Sequence, residues 1–203
     1  MENEKVMAIL QECDALLEGH FRYTSGRHGS MYFEKIRVAG RPDLVMELGR
    51  MTGETMRDIA GEIDVVCAPA FGAIVFGFAT AAAMGKPFAF LQRDSAGLMG
   101  IRPGFQSLVK NARVLLVEDV VTTGGSVRES IEVLEELGAG VVMAGLLVDR
   151  TGGTLELPVP YRALLTVKAE SYARRSAPVP AGIELVKPGS SGKGFRFPPR
   201  DPG

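Results

Sequence analysis

The chain has 203 residues, of which 46% are hydrophobic and 23% charged, and its formal net charge is −1. This is the composition of an ordinary globular protein able to bury a core, in one domain or two small ones. The near-neutral charge argues against a general nucleic-acid binder, which carries a basic excess, so any anion-binding site must be local. Cys13 and Cys67 are too few for a disulfide framework or a zinc cluster. Both read as buried free thiols, which fits a reducing, cytoplasmic compartment. No signal peptide is expected at the N-terminus. No stretch reaches the ~20 apolar residues of a membrane span, and the longest candidate, residues 71–84, is short and rich in small residues.

Met7, Leu10, Leu16 and Leu17 predict a first helix that ends near Gly19. Residues 20–38 predict a strand, a turn at SGRHGS and a second strand. Leu44, Leu48, Met51, Thr55 and Ile59 recur at helical spacing behind a Pro42-Asp43 start. From there the pattern alternates. Strands are expected at 63–68, 88–91, 114–117, 141–148 and 163–167. Helices are expected at 73–84, closed by Gly85, and at 126–137, closed by Gly138. Residues 93–110 are expected to form a polar, Gly-containing loop. Alternating strands and helices imply βαβ units and a mostly parallel α/β sheet flanked by helices. The expected organisation is a helix and hood segment over 1–40, an α/β core over 41–170 and a Pro/Gly-rich extension over 171–203. Together they form one compact domain, the extension wrapping the surface or remaining partly disordered.

The stretch VLLVEDVVTTGGS, residues 114–126, is the most informative. Ligands of open parallel sheets sit at the carboxyl ends of the strands, and Glu118 and Asp119 lie at such an end. The following helix offers unpaired N–H groups and partial positive charge, which suit a phosphate. Gly124 and Gly125 let backbone approach it, while Thr122, Thr123 and Ser126 add hydroxyl donors. Carboxylates accept hydrogen bonds from vicinal hydroxyls, so two acids one short loop from a phosphate cradle point to a ribose 5-phosphate. A plainer reading makes Ser126 an N-cap with Glu129 completing a capping box, which leaves the two acids unexplained. Neither GxGxxG nor GxxxxGK[ST] is present at this site, against a dinucleotide fold or P-loop NTPase.

Residues 114–126 resemble the phosphoribosyl-pyrophosphate (PRPP) motif of type I phosphoribosyltransferases. Further stretches resemble the orotate-specific members. These are GHFRYTSGRHGSMYFEK at 19–35, APAFGAIVFG at 68–77, LQRDSAGLMGIRPGF at 91–105 and LLVDRTGG at 146–153. Residues 185–190, LVKPGS, resemble the tail of one variant of that family. The resemblance implies a type I phosphoribosyltransferase fold with a small N-terminal hood. It also implies transfer of phosphoribose from PRPP to orotate, Mg²⁺ held mainly by substrate and water, and a homodimer. It places the ribose diol on Glu118 and Asp119, the 5-phosphate on residues from Val121 to Ser126, and the pyrophosphate on Ala70, Phe71 and Gly72.

The chemistry fits those parts. Orotate is anionic, and Arg150 can fork onto its carboxylate; a surface ion pair with Asp149 is the alternative. Thr24, Ser25 and Gly26 can supply donors, with Thr122 beside them, although a plain turn explains 25–27 equally well. Phe33 or Tyr32 can stack on the ring. His20 and His28 read as solvated turn residues. The sequence departs from the family at 91–105, which holds neither Lys nor His, so Arg93 and Arg102 are the expected catalytic cations beside Asp119. In the pyrophosphate loop Gly72 or Ala73 stands where some relatives carry lysine, and Lys35 is a substitute by position. The alternatives are transfer to another base, or a PRPP-binding paralogue with little activity. A transcriptional PRPP sensor would need a DNA-binding module, for which the chain has no room and no basic face.

Overall fold

The computed structural model describes residues 2–22, 28–168, 171–172 and 185–186. The chain divides into two compact units, Met1–Ala15 with Lys35–Lys168, and Leu16–Glu34 with Ala169–Gly203.

In the first unit, helix α1 spans Glu2–Glu12. It stops there because Asp14 adopts a left-handed φ of 50°, and the Ala15 N–H turns back to the Leu10 carbonyl at 2.8 Å. Leu16 and Leu17, expected to continue the helix, instead open strand β1 of the second unit, Leu16–Arg22. That unit pairs β1 antiparallel with β2, His28–Phe33. The short strands β9, Ser171–Tyr172, and β10, Leu185–Val186, complete a sheet of order β10-β1-β2-β9. His28, expected as a solvated turn residue, is buried, because it pairs with β1 on one side and β9 on the other. The side chain of His20 lies outside the described residues, as does most of the tail expected to wrap the surface.

After Lys35 the first unit resumes with α2, Ile36–Ala39, and α3, Pro42–Thr55. Pro at the first helical position and Asp43 in the first turn start α3 as expected. It ends four residues before Ile59 and gives way to a 3-10 turn, Arg57–Glu62. Arg162 explains the break: it donates to the Thr55 carbonyl and to both oxygens of Asp58. Helix α4, Ala73–Met84, ends where expected at Gly85, whose φ of 63° suits glycine. Gly49 of α3 lets the two helices meet at backbone distance; a Cβ there would lie 2.5 Å from the Ala79 carbonyl carbon.

The main sheet holds β3 (Val65–Pro69), β4 (Phe88–Arg93), β5 (Met99–Ile101), β6 (Arg113–Val121), β7 (Gly140–Asp149) and β8 (Tyr161–Thr166). Its order is β5-β4-β3-β6-β7-β8, and every pair is parallel except β4–β5. The mostly parallel α/β sheet is therefore as expected. Residues 93–110 are not an open loop: β5 folds back on β4 as a hairpin, and α5, Gln106–Val109, follows. Helix α6, Gly125–Glu136, covers one face, where Val127, Ile131 and Leu134 pack with Val65, Cys67, Val114 and Leu116. Alternate residues face the other way. A Cβ on Gly77 of α4 would touch Ala68 at 2.7 Å, and one on Gly145 would touch Thr52 and Met56 at 3.3 Å.

This strand order fixes where a ligand can sit. From β3 the chain crosses to β4 on one side, and from β6 it crosses to β7 on the other. The loops that follow β3 and β6 therefore diverge and leave a crevice between the carboxyl ends of two neighbouring strands, the position where open α/β sheets bind ligands.

Candidate active site

Glu118 and Asp119 lie within β6, which runs on to Val121 rather than ending at Val117. Pairing with β7 continues through Val121, opposite Asp149, and keeps both acids on rigid backbone. Glu118 is 7% and Asp119 2% exposed. Burial above all, and then the neighbouring Asp119 charge, push the Glu118 carboxyl up to about 8.

Asp119 has a partner from far away in sequence. The Lys35 ammonium lies 2.9 Å from one carboxylate oxygen and 2.8 Å from the other. Gly72, after β3, closes over this pair: a Cβ on it would sit 2.0 Å from an Asp119 oxygen and 2.6 Å from Lys35 Nζ. A side chain at Gly72 would have to displace this ion pair. The adjoining Ala70 donates its N–H to the Leu91 carbonyl at 2.6 Å, and Phe71 is 85% exposed. The structure thus brings Asp119, Gly72 and Lys35 together at the crevice.

The loop after β6 leaves Thr122, Thr123 and Gly125 exposed. Gly124, at φ 76°, is the N-cap of α6 and brings no side-chain hydrogen bond. The capping box expected from Ser126 and Glu129 does not form, so no side chain of the cap occupies the first N–H groups of the helix. Glu129 instead binds Arg93.

Arg93 ends β4 with its guanidinium on both oxygens of Glu129 and, at 2.7 Å, on the Gly97 carbonyl. Arg102, beyond β5, is exposed and donates to the Gln92 side chain at 3.3 Å. The two arginines expected as catalytic cations therefore differ: one is tied down by an acid of α6, the other holds only a neutral amide among the contacts described.

Arg150 follows β7, and its N–H donates to the Val121 carbonyl at 2.9 Å. Asp149 is fully buried and orders the turn after it, accepting the Thr151 N–H and hydroxyl at 2.7 Å and the Gly153 N–H at 3.2 Å. Phe33 belongs to the second unit and is buried. Thr24, Ser25 and Gly26 lie outside the described residues. No group of three or more His, Cys, Asp or Glu among the described residues could hold a metal ion by itself.

A phosphoribosyl transferase domain profile matches residues 38–171. The chain is 44% identical over 192 residues to an orotate phosphoribosyltransferase of Pelotomaculum thermopropionicum, covering 94% of this chain and 98% of that one. It is 41% identical to another from Erythrobacter litoralis, covering 95% and 100%. The chain belongs to the orotate phosphoribosyltransferase family. The crystal structure of the Aeropyrum pernix orotate phosphoribosyltransferase superposes with a TM-score of 0.66 at 28% identity, over 80% of this chain and 94% of that one.

In this member of the orotate phosphoribosyltransferases, sequence reasoning missed Arg128. Its guanidinium donates to the Thr123 carbonyl and, at 2.6 Å, to the Glu156 carbonyl. It ties the β6–α6 loop to the segment after β7. The only signal was an arginine in the first turn of a helix, where a cation is disfavoured by the helix dipole. Such a placement implies a local acceptor.

Proposed function

We propose that the protein transfers the 5-phosphoribosyl group of PRPP to orotate, giving orotidine 5′-monophosphate and pyrophosphate. One observation carries this reading: two buried carboxylates in β6 stand one short loop before a helix N-terminus that no side chain caps. Glu118 and Asp119 accept the ribose hydroxyls. The loop from Val121 to Ser126 takes the 5-phosphate on backbone N–H groups and on the Thr122 and Thr123 hydroxyls. Residues 70–72 face the pyrophosphate, and Arg150 forks onto the orotate carboxylate. The anomeric carbon–oxygen bond breaks with its electron pair staying on pyrophosphate. The orotate ring nitrogen closes the new bond with its own pair and loses its proton to solvent. Arg102 on the β4–β5 hairpin neutralises the leaving group, since Arg93 is occupied by Glu129.

Mg²⁺ fits this site, since it keeps several waters and needs only one or two carboxylates besides substrate phosphates. Glu118 and Asp119 are hard oxygen donors of that kind. The ion would screen the charge growing on pyrophosphate. Binding partners are the small molecules PRPP and orotate; no described helix is long and apolar enough to cross a membrane. The buried thiols Cys13 and Cys67 support a cytoplasmic setting. A homodimer is supported by exposed apolar side chains, Val75 and Phe78 of α4 and Phe71 just ahead of it.

Calorimetric titration with PRPP and Mg²⁺ tests the reading. A Glu118→Gln, Asp119→Asn variant should lose PRPP affinity while remaining folded. Unchanged affinity contradicts the assignment.

A further inference from the structure

The crevice needs a cation close to its acids. PRPP carries several negative charges in its pyrophosphate, yet the site it enters displays Glu118 and Asp119. Coulomb repulsion at a few ångströms would oppose binding unless a positive group lies between them. The loop after β3 supplies none: Ala70, Phe71 and Gly72 are uncharged. Arg93 is committed to Glu129 and the Gly97 carbonyl.

Lys35 is the cation that the fold brings to this place. Its ammonium bridges both oxygens of Asp119, and it fills the space that a side chain on Gly72 would need. The hollow beside this ion pair is otherwise lined by apolar side chains, Val38, Val75 and Phe76 among them, and by Gly72. The lysine side chain is 47% exposed against 3% for that of Asp119. The acid is fixed in the strand, and the long, half-exposed lysine is the partner able to move.

We propose that Lys35 binds the pyrophosphate group of PRPP, moving to it from Asp119 as the ribose hydroxyls take over that carboxylate. The inference rests on the reading of the site as a PRPP site. The exchange conserves partners. Asp119 gives up an ammonium donor and gains hydroxyl donors, and Lys35 gives up a carboxylate and gains phosphate oxygens. The fold places the lysine ahead of α2, so the loop after β3 can stay small enough to close over Asp119. The ion pair stands where the ribose diol is to bind. Ribose 5-phosphate, which has no pyrophosphate, must displace Lys35 without offering it a new partner.

Two ligands separate this from a structural ion pair. Affinities of PRPP and of ribose 5-phosphate, each with Mg²⁺, are measured by calorimetry on wild type, Lys35→Met and Lys35→Arg, with thermal unfolding as a control for folding. Loss of a charge-assisted contact should weaken PRPP binding to Lys35→Met about tenfold to a hundredfold. Ribose 5-phosphate should bind as well as to wild type or better, and Lys35→Arg should recover much of the PRPP affinity. Equal losses for both ligands, or no loss for PRPP, overturn the inference and leave the PRPP site standing. A wild type that binds neither ligand overturns the reading of the site and the inference with it.

Discussion

Arg93 and Glu129 join the end of β4 to α6 through a two-point ion pair, with one contact at 2.8 Å. The same guanidinium holds the Gly97 carbonyl at the tip of the hairpin. The pair therefore sets where the β4–β5 hairpin stands, and with it Arg102. Both side chains are partly exposed, so its effect on overall stability should be small.

If the pair acts by positioning the hairpin, Arg93→Ala and Glu129→Gln should lower turnover by similar factors, and the double variant by no more than either. Steady-state kinetics on the three variants checks this. A much larger loss for Arg93→Ala alone would mean that its guanidinium meets the substrate.

Arg102 should behave differently. A cation that acts mainly in the transition state lowers kcat when removed and leaves KM nearly unchanged. Arg102→Ala should show that pattern, and Arg102→Lys should recover part of the rate because charge matters more than the fork. Turnover of Arg102→Ala at the wild-type rate would contradict the role.

Gly125 tests the phosphate cradle. A Cβ there meets nothing nearer than the Thr123 hydroxyl oxygen at 3.7 Å, so Gly125→Val should fold. The same side chain would stand at the exposed start of α6 and crowd a bound phosphate. Loss of ribose 5-phosphate binding is expected, with a melting temperature near wild type. Normal binding by a folded variant would move the phosphate elsewhere.

Glu118 links stability to pH. Burial and Asp119 raise its folded pKa above that of the unfolded chain, so its protonated form favours the folded state. That stabilisation is fully present below the ordinary value of 4.5 and is lost as pH climbs to about 8. Glu118→Gln has no charge to bury, so its melting temperature should fall less than that of wild type between those limits. Parallel thermal-unfolding curves across this range would contradict the assignment.

The acids, the threonines and the glycines of the β6–α6 loop were legible because they are contiguous and their order reflects one local geometry. The crevice was not. Lys35 and Asp119 are 84 residues apart, and no periodicity connects a lysine before a short helix with an acid in a central strand. The β4–β5 hairpin escaped notice because β5 has three residues, Met99, Gly100 and Ile101, too few for an alternation to register. The Ser126 cap failed because α6 starts earlier: Gly124 is its N-cap, which puts Ser126 inside the first turn, and Glu129 is held by Arg93. Leu16 and Leu17 suited either element, and the left-handed turn at Asp14 decided it.

The central claim is tested most directly by mixing the purified protein with PRPP, Mg²⁺ and orotate and following the loss of orotate absorbance, with released pyrophosphate measured alongside. The account predicts orotate consumption that requires PRPP and is matched mole for mole by pyrophosphate. It also predicts that Arg150→Ala weakens orotate binding about tenfold to a hundredfold while changing PRPP affinity much less. Orotate left unconsumed by a folded protein that binds PRPP, or consumption of another base in its place, would contradict it.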